Sequence, residues 1–369
     1  MARIWNSTDF LENLPFLYET ERGNIQLEKV LLPVVQPPIL GYQFFAFPLC
    51  ITLGNERSLP WFYSNFIQVC FDKRPDPPVP FTFYIHDYTL DPWLHVERLQ
   101  RSTMSIIKRN IVDFVRDCVL DGYYVNLNVD EHFIPERSVY HKSHLSHDVL
   151  IHGYNPQEET FQLLGFTDKQ TFASTSVSLR DFEQAYANID HIDDHQAVCN
   201  RIFLFKWNES GRYDFDLTLV QETLEDYLLS RNTSTRFRMV SPPWNHCAYG
   251  METYSCLQQY YEQLLDGKTS YDVRHVHSLW EHKKVMASRI KYMQEQTPYL
   301  DESDHLLASF EELERKALNA RNLMLKYYMK KETETLVKIM NYLEEMEAQE
   351  RVSIEKLLEV LKKNEVYSP

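Results

Sequence analysis

The chain has 369 residues, a net charge of −15 and 44% hydrophobic composition, so it exceeds one ordinary core and two domains are expected. The acidic balance argues against binding nucleic acid or an anionic membrane through a basic face. Nine glycines, with neither GxGxxG nor GxxxxGKS/T among them, argue against nucleotide binding by either standard loop.

MARIWNSTDFLENLPF at the start lacks a basic stretch followed by an apolar one, so no secretion signal is expected. Residues 24–40 read as extended up to Gln36-Pro37-Pro38, since a residue before proline avoids the α region. Gly41 to Leu53 reads as a short helix kinked or broken at Pro48. Phe66–Phe71 and Phe81–Ile85 read as strands around a proline-rich loop, Arg74 to Pro80. Ser102 to Leu120 carries an apolar stripe (Ile106, Ile107, Ile111, Phe114, Val115, Cys118, Val119) and reads as one helix ended by Asp121-Gly122.

Tyr123–Val129 alternates as a strand. Strand Asp148–His152, a turn at Gly153-Tyr154-Asn155-Pro156 and strand Thr160–Phe166 follow. Ser178 should cap a helix to Tyr186. Arg201–Trp207 and Tyr213–Leu219 read as a strand pair around Asn208–Gly211. From about Ser255 the helical period dominates, with stripes at Leu306–Leu318, Leu336–Met346 and Ile354–Leu361; residues 230–243 and 296–302 read as connections. The expected class is α+β, with a mixed domain at 1–245 and an all-helical domain at 246–369. No run of 18 apolar residues occurs, so no membrane span is expected. The six cysteines, at 50, 70, 118, 199, 247 and 256, form no CxxC pair, which fits free thiols in a reducing cytoplasm.

Chemistry points first to the histidines at 141, 144, 147 and 152, crowded at the mouth of a hairpin. A thiol-dependent transferase or peptidase needs an imidazole that takes the thiol proton and later protonates the leaving group. His147, just before Asp148-Val149-Leu150-Ile151, stands where a strand start would hold such a base. Its nucleophile would be Cys50, late in its helix, although an activated thiol prefers a helix N-terminus. Asp168 or Gln162 would orient the imidazole, and amides near Gly41–Phe45 would face an oxyanion. A metal reading uses His141, His144 and His147 with Asp130 and Glu131, but HExxH is absent; no metal or cofactor is expected. Trp280–Lys284 and Arg321–Lys326 read as solvated helix faces, or as the lining of a groove for an anionic carrier.

Asp130-Glu131-His132-Phe133-Ile134-Pro135, Tyr140, and His144 through Asn155 together resemble the family named for the butirosin-biosynthesis acyltransferase. Val177–Phe182 and Leu279-Trp280-Glu281-His282 look similar to its large members beside nonribosomal peptide and polyketide genes. The resemblance implies a papain-like α+β domain with an appended helical domain. It also implies a Cys–His–Asp triad moving an acyl group from a carrier-protein thioester to an amine. His147 matches the family's histidine. The family's cysteine would open the first helix, whereas the first cysteine here is Cys50, and no carboxylate stands near Leu163–Gly165. The resulting expectation is a cytoplasmic bacterial protein of natural-product biosynthesis. Its partners would be an acyl or peptidyl carrier protein and a small-molecule amine. The alternatives are a binding or scaffolding protein that kept the fold without the triad, and a metal-dependent hydrolase using the histidine cluster.

Overall fold

The computed structural model describes residues 28–192, 200–296, 300 and 305–365. Residues 24–27 of the expected extended segment, the N-terminal segment, Cys199 and most of 296–302 lie outside them. The elements in order are β1 (Val30–Leu31), α1 (Gln43–Thr52), α2 (Leu59–Ser64), β2 (Val69–Asp72), β3 (Phe81–Phe83), β4 (Leu94–Gln100), α3 (Arg101–Ile107) and α4 (Ile111–Leu120). Then come β5 (Tyr124–Asp130), β6 (Ser146–Asn155), β7 (Thr160–Phe166), β8 (Phe172–Ser178), α5 (Leu179–Asn188), β9 (Arg201–Trp207) and α6 (Leu217–Leu228). The last are β10 (Cys247–Tyr249), α7 (Glu252–Leu265), α8 (Arg274–Gln296), α9 (Leu306–Lys330) and α10 (Thr333–Glu365). The class is mixed α/β with antiparallel strand pairs and a helical C-terminal region. No described helix is long and apolar enough to cross a membrane.

The chain forms two compact units, residues 1–34 with 95–207, and residues 35–94 with 208–369. This division interleaves segments of the chain, whereas the sequence reading placed one boundary at 245/246. In the first unit a seven-stranded sheet runs β4-β9-β5-β6-β7-β8, with β1 added against β6. Val125, Leu127 and Val129 alternate onto one face, joined by their cross-strand partners Ile151, Val149 and His147. Ile111, Val115 and Val119 of α4 and Phe182 and Ala185 of α5 close the core with these aliphatic residues. Ser178 caps α5 as expected, its Oγ accepting from Asp181 N at 3.0 Å.

Four local expectations change. The helix read over Ser102–Leu120 is two helices, because Lys108 turns left-handed (φ 51°) and Asn110 caps a new start, accepting from Val112 N at 2.7 Å. Pro48 does not break α1, which continues to Thr52 with nearly every side chain buried. Strand β6 runs through Gly153 to Asn155, so the hairpin turn falls at 156–159. A bulge between Ile151 and Gly153 marks where β1 crowds in, and a Cβ on Gly153 would lie 2.9 Å from Leu31 Cδ1 and 3.0 Å from Val30 O. Finally, Tyr213–Leu219 is no strand: Asp216 caps α6 by accepting from Leu219 N at 2.8 Å, and β9 pairs with β5 instead.

The second unit joins a small β10-β2-β3 sheet to helices α6 to α10. The expected stripes are its core, with Phe310, Leu313, Leu336, Ile339, Leu343, Met346, Ile354 and Leu357 fully buried. Charge is buried there too. Lys283 Nζ lies 2.6 Å from Glu350 Oε2, and that oxygen also accepts from Tyr227 at 2.9 Å and Tyr254 at 2.8 Å. His282 Nε2 bonds Ile67 O at 2.8 Å, and the Arg289 guanidinium donates to the carbonyls of Tyr63, Asn65 and Phe66.

Glu350→Ala should destabilise the protein by about 3–5 kcal/mol, because it strands Lys283 as a buried unpaired cation, while Lys283→Met with Glu350→Leu should cost less, its remaining loss coming from the Tyr227 and Tyr254 hydroxyls left without that acceptor. Chemical denaturation of the three proteins checks this. A pH effect follows from His275, which stacks on Tyr260 and Phe71. Burial pulls its pKa down to about 4, helped by Arg274 and opposed by Asp272. The unfolded chain then takes up a proton at His275 near pH 6.5 that the folded chain refuses, so stability falls as pH drops from about 6.5 to about 4, by up to about 3 kcal/mol. Denaturation midpoints at several pH values should show this slope, and His275→Phe should flatten it.

Candidate functional site

The richest constellation of the first unit stands where β5 ends. Asp130 is fully buried, and its carboxylate gathers donors from three segments. Oδ1 accepts from His132 N and Leu145 N, each at 3.1 Å. Oδ2 lies 2.6 Å from His144 Nδ1 and accepts from Asn188 Nδ2, at the end of α5, at 2.7 Å. Burial alone would raise the Asp130 pKa, but these hydrogen bonds outweigh it and hold the carboxyl below its usual range. Asp130 also caps the single turn Glu131–Phe133 that starts the loop to β6.

His144 is therefore fixed through Nδ1 by a buried anion, while about half of its side chain is exposed. With Nδ1–H donating to Asp130, Nε2 is the basic nitrogen. His132 stacks on His144 with ring centroids 4.3 Å apart, and Tyr140 stacks on His141 at 4.0 Å. A carboxylate that holds one imidazole nitrogen leaves the other able to take a proton or ligate a metal.

His147 belongs to an adjacent charge group. Its Nδ1 lies 3.4 Å from Glu131 Oε1 and 3.9 Å from Asp148 Oδ1. Burial pulls its pKa down, yet Glu131 and Asp148 outweigh that and the net direction is up. Arg137, only 2% exposed, lies 3.6 Å from Glu131, and its guanidinium makes no hydrogen bond among the described residues. Burial lowers its pKa against the pull of Glu131 and Glu136.

The other expected site residues are placed elsewhere. Asp168 lies in the exposed turn after β7, and among the described residues its carboxylate makes no ion pair or hydrogen bond; only its N–H is used, donating to Glu136 O at 2.8 Å. Gln162 donates across β7–β8 to Ser176 Oγ at 2.7 Å. His152 is buried with both ring nitrogens engaged, Nδ1 with Leu32 O at 3.1 Å and Nε2 with Ser174 Oγ at 2.8 Å, which is a packing role. Cys50 belongs to the second unit, fully buried in the third turn of α1, with its thiol donating to Phe47 O at 3.0 Å. Burial pushes that thiol far above its usual pKa, the opposite of what a nucleophile needs.

The amides expected to face an oxyanion, Gly41–Phe45, are partly engaged, since Gly41 N donates to Glu281 Oε1 at 2.9 Å and Phe45 N to Tyr42 O at 3.1 Å. Of the expected carrier groove, Glu281, His282 and Lys283 are buried, while Trp280 and Lys284 line a cavity of about 610 Å³ with Pro37, Pro38 and Tyr63. The Asp130–His144–Asn188 group was not singled out from sequence. The available signal was an acid ending one strand and a histidine just before the next; nothing marked Asn188.

Asp130→Ala should cost about 1–3 kcal/mol by leaving buried donors without an acceptor, whereas His144→Ala, at a half-exposed position, should cost less; urea denaturation distinguishes them. No protein-family model matches this chain, and no curated protein shows significant similarity to it.

Proposed function

We propose that this chain is a papain-like α+β protein of the butirosin-biosynthesis acyltransferase kind, acting in natural-product assembly. Its reaction would pass an acyl group from a carrier-protein thioester to a small-molecule amine, with Asp130 and His144 handling the proton. The observation that supports this is the 2.6 Å contact of a buried carboxylate with Nδ1 of a half-exposed imidazole. As the amine nitrogen attacks the thioester carbonyl, His144 Nε2 takes its proton and Asp130 stabilises the imidazolium. The C–N bond forms, the C–S bond breaks, and the imidazolium returns the proton to the departing sulfur. This route needs no thiolate at Cys50, whose burial speaks against that role. The same burial supports a second reading, a binding or scaffolding protein of this fold that performs no transfer.

An acyl-pantetheine thioester incubated with small amines, with amide product read by mass spectrometry, tests the reading. His144→Ala should lower the rate by about 10²–10⁴-fold, while folded Cys50→Ala should keep turnover within a small factor. Lost turnover in folded Cys50→Ala with His144→Ala unaffected would overturn the role given to His144. A wild-type chain that binds a carrier protein without any turnover would establish the second reading instead.

A further inference from the structure

A second constellation lies wholly in the second unit, on the β10-β2-β3 sheet. Cys247 stands opposite Asp72 and Tyr249 opposite Cys70 in an antiparallel pair. Cross-strand partners share a face and side chains alternate, so Cys70, Asp72, Cys247 and Tyr249 all project from one face. His246 enters the same corner, its carbonyl accepting from Lys73 N at 3.1 Å and its Nε2 lying 3.9 Å from Asp72 Oδ2. One ligand atom from each of Asp72, His246 and Cys247 lies within 4.8 Å of the other two. Asp72 and Cys247 are buried and the His246 side chain is about one-third exposed. Tyr84, Tyr249 and Phe237 pack around the sulfurs.

A nitrogen, a sulfur and an oxygen donor at this spacing suit a borderline-soft divalent ion, not magnesium or calcium, which take oxygen ligands. Thiolate and carboxylate together bring two negative charges to such an ion, with the single positive charge of Arg74 beside them. Cys70, on the same face as Asp72, packs with Cys247 and Tyr249 in this corner. Arg74 grips both oxygens of Asp72, with Nε at 3.0 and 3.1 Å and Nη2 at 2.5 Å, and its backbone N–H adds a bond to Oδ1 at 3.0 Å. The Nε–H is shared between the two oxygens, so three N–H groups serve about four carboxylate lone pairs; one acceptor position remains, and the grip orients the group as outer partners of metal ligands do.

We propose that Asp72, His246 and Cys247 form a binding site for one divalent ion of the zinc class, with Arg74 orienting the Asp72 carboxylate and the fourth position left to water. This site is separate in sequence and unit from the histidines around Asp130.

The test uses the full chain, reduced and stripped with a chelator, then titrated with Co2+ by absorption and with Zn2+ against a chromophoric chelator. One Co2+ per chain should bind, with a sulfur-to-cobalt charge-transfer band and the visible absorption of tetrahedral cobalt. Cys247→Ser should abolish the charge-transfer band. His246→Gln, at a partly exposed position that should leave folding intact, should weaken Zn2+ binding by more than about 100-fold, beyond the ~10–100-fold that loss of an outer partner, as in Arg74→Gln, should cost. Circular dichroism confirms that each variant is folded. Absence of a charge-transfer band in the wild type would overturn the site. So would unchanged binding in folded His246→Gln, or binding lost in His144→Ala and retained in His246→Gln.

Discussion

Removing a carboxylate from water is costly unless its lone pairs are filled, and the buried carboxylate of Asp130 sets the terms for everything around it. Its four partners come from the turn after β5, the lead into β6 and the end of α5. One side chain thus fixes both ends of the loop 131–145 and ties it to a helix from another part of the chain. The adjacent Glu131 is also buried and takes Arg137 and His147 as its neighbours. Two successive acids at one strand end divide the surrounding cations and imidazoles between them. That division explains why His144 and His147, three residues apart, sit in different electrostatic settings.

The second unit uses buried charge differently. Glu350, Lys283, Tyr227 and Tyr254 satisfy one another inside the helical array, and Arg289 is spent on three backbone carbonyls. Burial pulls the Arg289 guanidinium down to about 9, so its charge is held at real cost. Apolar side chains alone would pack helices in several registers, whereas a lysine that must meet one glutamate accepts few. The helical stripes supply the driving force and these polar contacts select the arrangement.

Much of the fold was legible in the sequence because its signals are local. The stripes of α9 and α10, the alternation of β5 and the Ser178 cap each rest on period or on one hydrogen bond within a few residues. The break at Lys108 was hidden because an apolar stripe ran across it, while the decisive Asn110 cap was a single polar residue. The helix capped by Asp216 was hidden because strand β9 invited a hairpin partner. The site was legible only as a neighbourhood: the histidine segment was found, but the choice of His144 depends on where Asp130 and Asn188 arrive, which sequence spacing does not carry. For Cys50, its position late in α1 already spoke against activation, and burial supplies the physical reason.

The interleaving of the two units has a consequence for the nascent chain. The first unit has all its residues once position 207 has left the ribosome, whereas residues 35–94 of the second belong with 208–369, still to be made. Phe45, Phe47, Trp61, Phe62 and Phe66, all buried in the finished protein, must therefore wait through the synthesis of 113 intervening residues, 95 to 207, before their helical partners emerge. Since chains fold as their segments become available, slow elongation would leave this aromatic segment exposed for longer.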